Sequence, residues 1–224
     1  MSAILTIKNL NIYYQDKKIL ENLNLAIQPH EIICFMGKSG SGKSTLLSSL
    51  NGFLNEKCGH FEGKILFKGE DIQKKDPIWL KRKMATLFQD SKPFPFSVEK
   101  NLTYAMEFYE RNIINKKAKV EGLLKSVNLW DEIGGNLSIS PEQLSGGQKQ
   151  RLCIARMLTT EPEILILDEP CSSLDLHNML VIEDLIKQLA KKYTILIATH
   201  NFEQAKRLTN RIITIENKTI MEPH

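Results

Sequence analysis

Residues 37–45 read GKSGSGKST. They follow the apolar run Ile32-Ile33-Cys34-Phe35-Met36 and precede Leu46-Leu47-Ser48-Ser49-Leu50, whose apolar spacing is helical. The order is strand, glycine-rich loop, helix, and Gly37, Gly42, Lys43 and Ser44 fit the pattern G-x-x-x-x-G-K-[ST]. Glycines let successive backbone N–H groups turn inward around a phosphate chain. Gly37, Lys38, Ser39, Gly40, Ser41, Gly42, Lys43, Ser44 and Thr45 are therefore the expected phosphate cradle. The helix that starts near Lys43 aims its positive end at the same phosphates. Lys43 adds a full charge at the β/γ-phosphates, and the Ser44 hydroxyl suits Mg²⁺.

Outward from this loop, strands and helices alternate. Residues 3–9 alternate apolar and polar and predict a strand. Residues 23–27 predict a second, ended by Pro29, with 13–18 as a turn-like connection, and the pair opens an antiparallel sheet. A helix is expected over 43–53, a strand over 61–67, a turn at 68–71 and a short strand over 84–88 running into Gln89. Pro93 and Pro95 between aromatics make 90–97 a loop. Helical spacing covers 98–111, 116–127 and 147–158, with 134–140 as loop. The strands 164–167, 194–198 and 211–215 then alternate with helices over 175–190 and 201–208. This is an α/β chain with a mostly parallel sheet and helices on both faces. We expect one domain over 1–224. Its core is 1–89 and 161–224, with an antiparallel β part at the start, and a helical subdomain is inserted at 90–160. Ligands of such sheets sit beyond the strand carboxyl ends, where the loop, Asp168 and His200 fall.

Composition excludes several classes of protein. With 42% hydrophobic and 25% charged residues the chain is an ordinary globular one, long enough for an ample core. Its 30 Lys and Arg exceed 26 Asp and Glu by four, and they are scattered, so no basic stripe marks nucleic acid. Cys34, Cys58, Cys153 and Cys171 share no C-x-x-C spacing, which argues against a zinc site or a disulfide framework and for buried free thiols. The N-terminus lacks a signal-peptide pattern. The longest apolar run is about five residues, far short of a membrane span, so a membrane role is expected to come through a partner.

Two further segments carry chemistry. Ile164-Leu165-Ile166-Leu167-Asp168-Glu169 places two carboxylates at a strand's carboxyl end. Adjacent strand residues face opposite ways, so Asp168 suits Mg²⁺ and Glu169 suits a base that polarises the attacking water. In Leu144-Ser145-Gly146-Gly147-Gln148, Ser145 is placed to cap a helix whose two glycines leave N–H groups accessible. That is a second anion site at a second helix N-terminus. Two such sites in one chain make sense when two chains share one nucleotide.

These segments together resemble the ATP-binding-cassette (ABC) ATPases over essentially the whole chain. GKSGSGKST matches Walker A, LSGGQ the signature, ILILDEP Walker B, Gln89 after ATLF the Q-loop, Ser173-Leu174-Asp175 the D-loop, and His200 after IAT the switch histidine. The resemblance implies ATP and Mg²⁺, with Glu169 as general base, Gln89 at Mg²⁺ or the water, and His200 at the γ-phosphate. It implies that Tyr14 stacks on adenine, although Gln15 stands where the family usually has glycine, which leaves the choice between Tyr13 and Tyr14 open. It also implies a head-to-tail dimer in which Ser145, Gly146, Gly147 and Gln148 of one copy close on the ATP of the other, with Asp175 contacting the opposite protomer. The stretches 88–101 and 145–175 are similar to phosphate-importer ATPase subunits.

The expected function is thus to power an ABC membrane transporter, an importer of phosphate or another small solute. The expected partners are transmembrane permease subunits at the inner face of the cell membrane and, indirectly, a solute-binding protein. The Pro- and aromatic-rich stretch 91–104 is the expected seat for the permease. The alternatives are an exporter or release system, or a soluble non-transport ABC protein. The latter resembles tandem cassettes or carries long coiled-coil insertions, and neither pattern is present.

Overall fold

The computed structural model describes residues 2–56, 58–109 and 114–222. β1 (Leu5–Tyr14) and β2 (Lys17–Ile27) form an antiparallel hairpin. β3 (Ile32–Met36) leads through the glycine loop into α1 (Lys43–Leu50), followed by α2 (Phe53–Glu56). β4 (Gly59–Phe67) returns to pair antiparallel with β1, and β5 (Glu70–Asp71) pairs with β4. α3 (Pro77–Lys83) precedes β6 (Met84–Leu87). Three helices come next, α4 (Val98–Tyr109), α5 (Lys116–Ser126) and α6 (Gly146–Leu158). The chain then runs β7 (Ile164–Asp168), α7 (Leu176–Ala190), β8 (Thr194–Ala198), α8 (Phe202–Leu208), β9 (Ile212–Glu216) and β10 (Thr219–Met221).

One sheet has the order β2-β1-β4-β5 and the other β10-β9-β3-β8-β7-β6. In the larger sheet β6, β7, β8, β3 and β9 are parallel and β10 closes one edge antiparallel. The apolar runs of its central strands follow from burial on both faces. Ile33, Phe35, Ile164, Ile166, Leu196 and Ala198 share a core with the antiparallel sheet and α1. Cys34, Leu165, Leu167, Ile195 and Ile197 point the other way, into a core shared with α4 to α8. The period-two alternation of strand side chains thus divides the molecule into two cores on either side of one sheet.

The fold class agrees with expectation, and the differences are local. The strand expected over 3–9 runs over 5–14, and the turn-like 13–18 is mostly strand. Only Gln15 and Asp16 turn, between the paired residues Tyr14 and Lys17. Register shifts around Leu10 and left-handed backbone at Asn9 and Asn22 break the alternation that the sequence reading followed. Asn24 Oδ1 accepts from Asn9 N–H and Asn11 Oδ1 from Asn22 N–H, so side chains replace ladder bonds at the irregularity. α3 had no sequence counterpart; the Asp76 side chain caps it and Pro77 begins it. The helix expected over 98–111 ends at Tyr109 among the described residues, and Glu110 and Arg111 lie outside them.

Candidate functional site

Four neighbouring parallel strands bring the site together. In the order β3-β8-β7-β6, their carboxyl ends release the glycine loop, His200, Glu169 and Gln89 respectively. A cleft of 420 Å³ lies there, lined by Ser39, Gly40, Gly42, Lys43, Ser44, Thr45, Gln89, Glu169 and His200. Residues 160 positions apart in sequence meet because each strand ends at the same edge of the sheet.

The loop is built for close backbone approach. Gly42 caps α1 in left-handed backbone (φ 105°), and a Cβ there would stand 2.9 Å from Leu20 Cδ2. Lys43 is 7% exposed, and its ammonium donates to the carbonyls of Gly37 at 2.8 Å and Lys38 at 3.1 Å. The cation therefore folds back over its own loop and stands at the cleft wall. Ser41 Oγ is buried without a hydrogen-bond partner among the described residues.

Opposite the loop, Glu169 follows Asp168, the last residue of β7, in left-handed backbone (φ 49°). Its N–H donates to Ala198 O at 2.9 Å, which ties it to the end of β8. Its Oε1 lies 2.8 Å from His200 Nδ1. The Glu169 side chain is 12% exposed and that of His200 66%, so the imidazole is the outer member of the pair. Thr199 N–H bonds Phe35 O, and Asn201 caps α8, which holds His200 between two fixed residues. Gln89 is exposed in the turn that follows β6.

Other expected site residues stand apart from this cleft. Tyr14 is half-buried and packs on the core shared by the two sheets. Tyr13 stacks on His60, with ring centres 4.9 Å apart, and its hydroxyl donates to Glu62 at 2.9 Å. Tyr13 is thus committed to its own sheet. Ser145, Gly146, Gly147 and Gln148 open α6 without lining the cleft. Ser145 Oγ accepts from Gln148 N–H at 3.3 Å and Gln148 Oε1 accepts from Ser145 N–H at 2.9 Å, a reciprocal capping box. Asp175 caps α7, accepting from Asn178 N–H at 2.9 Å, and bonds with Asn178 hold its carboxyl below the usual range.

Sequence reasoning missed three side chains that hold these parts. Arg151 clamps Glu132 with two bonds of 2.6 Å beside the start of α6. Glu183, 1% exposed, is gripped by Arg207 at 2.7 and 2.8 Å, joining α7 to α8. Asn101, fully buried, accepts from Phe94 N–H and donates to the carbonyls of Phe94, Phe96 and Ser97. It shapes the loop after Gln89, where Phe94, Phe96 and Tyr104 form an exposed aromatic cluster with ring centres about 6 Å apart. Their partners lie up to 24 positions away, where no helical or strand period reports them. The polar type of a residue in an apolar stretch, such as Glu183 after Ile182, was the one available signal.

A family model described as ABC transporter matches residues 20–172. A phosphate import ATP-binding protein PstB of Leifsonia xyli subsp. xyli is 40% identical over 217 residues, covering 94% of this chain and 84% of that protein. The protein of the same name from Bifidobacterium longum is 37% identical, covering 100% and 88%. Among solved structures, cbiO1 of Clostridium perfringens, part of the ABC transporter complex cbiONQ, superposes with a TM-score of 0.86 at 27% identity over 99% of this chain and 88% of that one. A bacterial Atm1-family ABC exporter with ATP bound gives 0.80 at 25% identity over 99% of this chain and 38% of that one. The glycine loop, the carboxylate–imidazole pair at the same cleft and these likenesses agree: the chain is an ATPase of the ABC transporter family.

Proposed function

We propose that this ATPase powers a membrane importer, that the imported solute is phosphate, and that two copies of the chain share each ATP. The observation that carries the reading is the Glu169–His200 pair at 2.8 Å across one cleft from Lys43. Lys43, released from the carbonyls of Gly37 and Lys38, places its charge against the β/γ-phosphates, with the loop amides of residues 37–45 around them. Glu169 takes the role of base toward the attacking water, and His200 holds that carboxylate and reaches the γ-phosphate. Tyr14 supplies the face for adenine, because Tyr13 is already stacked on His60.

Among the described residues no cluster of three His, Cys, Asp or Glu could hold a metal alone. The oxygen donors of Ser44, Gln89 and Asp168 fit Mg²⁺, which keeps waters and substrate phosphates instead of a full protein cage. When bound it neutralises charge on the transferred phosphoryl group. Ser145 to Gln148 of a second copy complete the site, and Asp175 meets that copy beside it. The division into a core, 1–89 and 161–224, and a helical insertion, 90–160, gives the signature segment its own carrier. No strand occurs in the insertion among the described residues.

No helix of the described residues is long and apolar enough to cross a membrane. The aromatic cluster of Phe94, Phe96 and Tyr104 is the seat we assign to a transmembrane permease at the inner face of the membrane. A solute-binding protein acts through that permease, and nucleic acid has no part. Phosphate is supported by the near full-length likeness to phosphate import ATP-binding proteins. The test is transport. Proteoliposomes holding the chain with its co-purified membrane partner and solute-binding protein should accumulate labelled phosphate only with ATP at the side of this chain. Glu169→Gln should reduce that rate by at least about 100-fold. Uptake of a different solute would overturn the phosphate assignment, and an undiminished rate in the variant would overturn the role of Glu169.

A further inference from the structure

The start of α6 is held by a charged clamp. Glu132 Oε1 and Oε2 accept from the two terminal nitrogens of Arg151 at 2.6 Å each, and Oε2 also accepts from Gln148 Nε2 at 3.1 Å. Arg151 is 5% exposed and Glu132 42%. Arg151 donates further to Asn128 O at 2.8 Å and Gly147 O at 3.4 Å. These bonds hold the Glu132 carboxyl below the usual carboxylate range. Gln148 is held at both ends, its oxygen by Ser145 N–H and its nitrogen by Glu132.

This geometry has two effects on an anion brought to the helix end. The capping box takes the N–H groups of Ser145 and Gln148, so the glycine N–H groups of residues 146 and 147 are the ones outside it. The turn that carries them cannot rotate while Gln148 is pinned. An unpaired carboxylate beside a helix N-terminus would repel a phosphate, and the bidentate guanidinium cancels that charge and leaves the helix dipole unopposed.

We propose that Glu132, acting through Arg151 and Gln148, is the positioning residue that aims the Gly146 and Gly147 amides at the ATP of a second copy. Gln148 then also serves as a clamp within the chain. The proposal rests on the reading that two copies share each ATP, and the experiment separates the two. In the Glu169→Gln chain, ATP affinity is measured at a dilution where the chain is monomeric, and dimerisation with MgATP is followed by analytical ultracentrifugation. Adding Glu132→Ala should leave the monomer's Kd for ATP within about twofold, because the glycine loop is untouched. It should raise the concentration for half-dimerisation by about tenfold or more, the scale of one charge-assisted hydrogen bond. Glu132→Gln, which keeps one acceptor for Arg151, should fall between, and it carries the comparison if the alanine variant does not fold.

Unchanged dimerisation in both variants overturns the proposal and leaves the shared site standing. Parallel weakening of monomer binding also overturns it, by showing general damage. A Glu169→Gln chain that stays monomeric with MgATP overturns both readings.

Discussion

At the scale of single residues, chemistry is set by what each side chain is held against. Glu169 stands in left-handed backbone, which an ordinary residue adopts only when its surroundings impose it. Here the bond to Ala198 and the contact with His200 impose it. Gln15 is a second case, with φ 52° in the hairpin turn. In the buried cysteines desolvation is the largest cause, outweighing the charges nearby. Desolvation pushes the Cys34 and Cys171 thiols up to about 12 and Cys153 to about 11, while Cys58 is exposed. A raised thiol pKa means a protonated, unreactive sulfur at neutral pH. Iodoacetamide at pH 7.5 should therefore alkylate Cys58 in the native chain and all four cysteines after unfolding. Mass spectrometry that finds Cys171 labelled as fast as Cys58 would refute this. The residues that meet at the cleft were legible in the sequence where spacing is local: the glycine loop, Glu169 after an apolar strand, His200 after another. Glu132 and Arg151 were not, because they meet across 19 positions with no period to report it.

At the scale of elements, irregular features escaped the sequence reading. β1 and β2 were truncated because Asn9, Asn11, Asn22 and Asn24 bond across a register shift and break the alternation. The loop after Gln89 was recognised from its prolines, but what shapes it is Asn101, a polar residue in the first turns of α4. Removing that amide leaves backbone groups of Phe94, Phe96 and Ser97 without their partner. Asn101→Ala should cost about 2–3 kcal/mol. Urea denaturation should show a lower midpoint at unchanged slope. A loss below about 0.5 kcal/mol would mean that other contacts shape the loop, such as Arg156 over the Phe94 ring at 4.1 Å.

At the scale of the whole molecule, alternation of strand and helix announced the parallel sheet. Its order β10-β9-β3-β8-β7-β6 was beyond local patterning, because strand neighbours are chosen by packing. That order puts four loop ends at one cleft, so a ligand there ties the strands of the core together. ATP at 100 times its Kd adds about 2.7 kcal/mol to stability. For a chain of this size that raises Tm by roughly 5–10 °C. Lys43→Ala should abolish the rise in a thermal shift assay, and a full rise in the variant would show that Lys43 does not hold the phosphates. A last consequence concerns α6, 13 residues and so about 20 Å long. One end is the capped turn at Ser145. At the other, Arg156 donates to Lys92 O at 3.0 Å and covers Phe94, in the aromatic patch. A rigid rod with a contact at each end obeys thermodynamic reciprocity. On the proposed reading, whatever factor a seated permease applies to dimer closure on ATP, closure must return to permease affinity. Permease affinity and dimer affinity are then two readings of one coupling free energy.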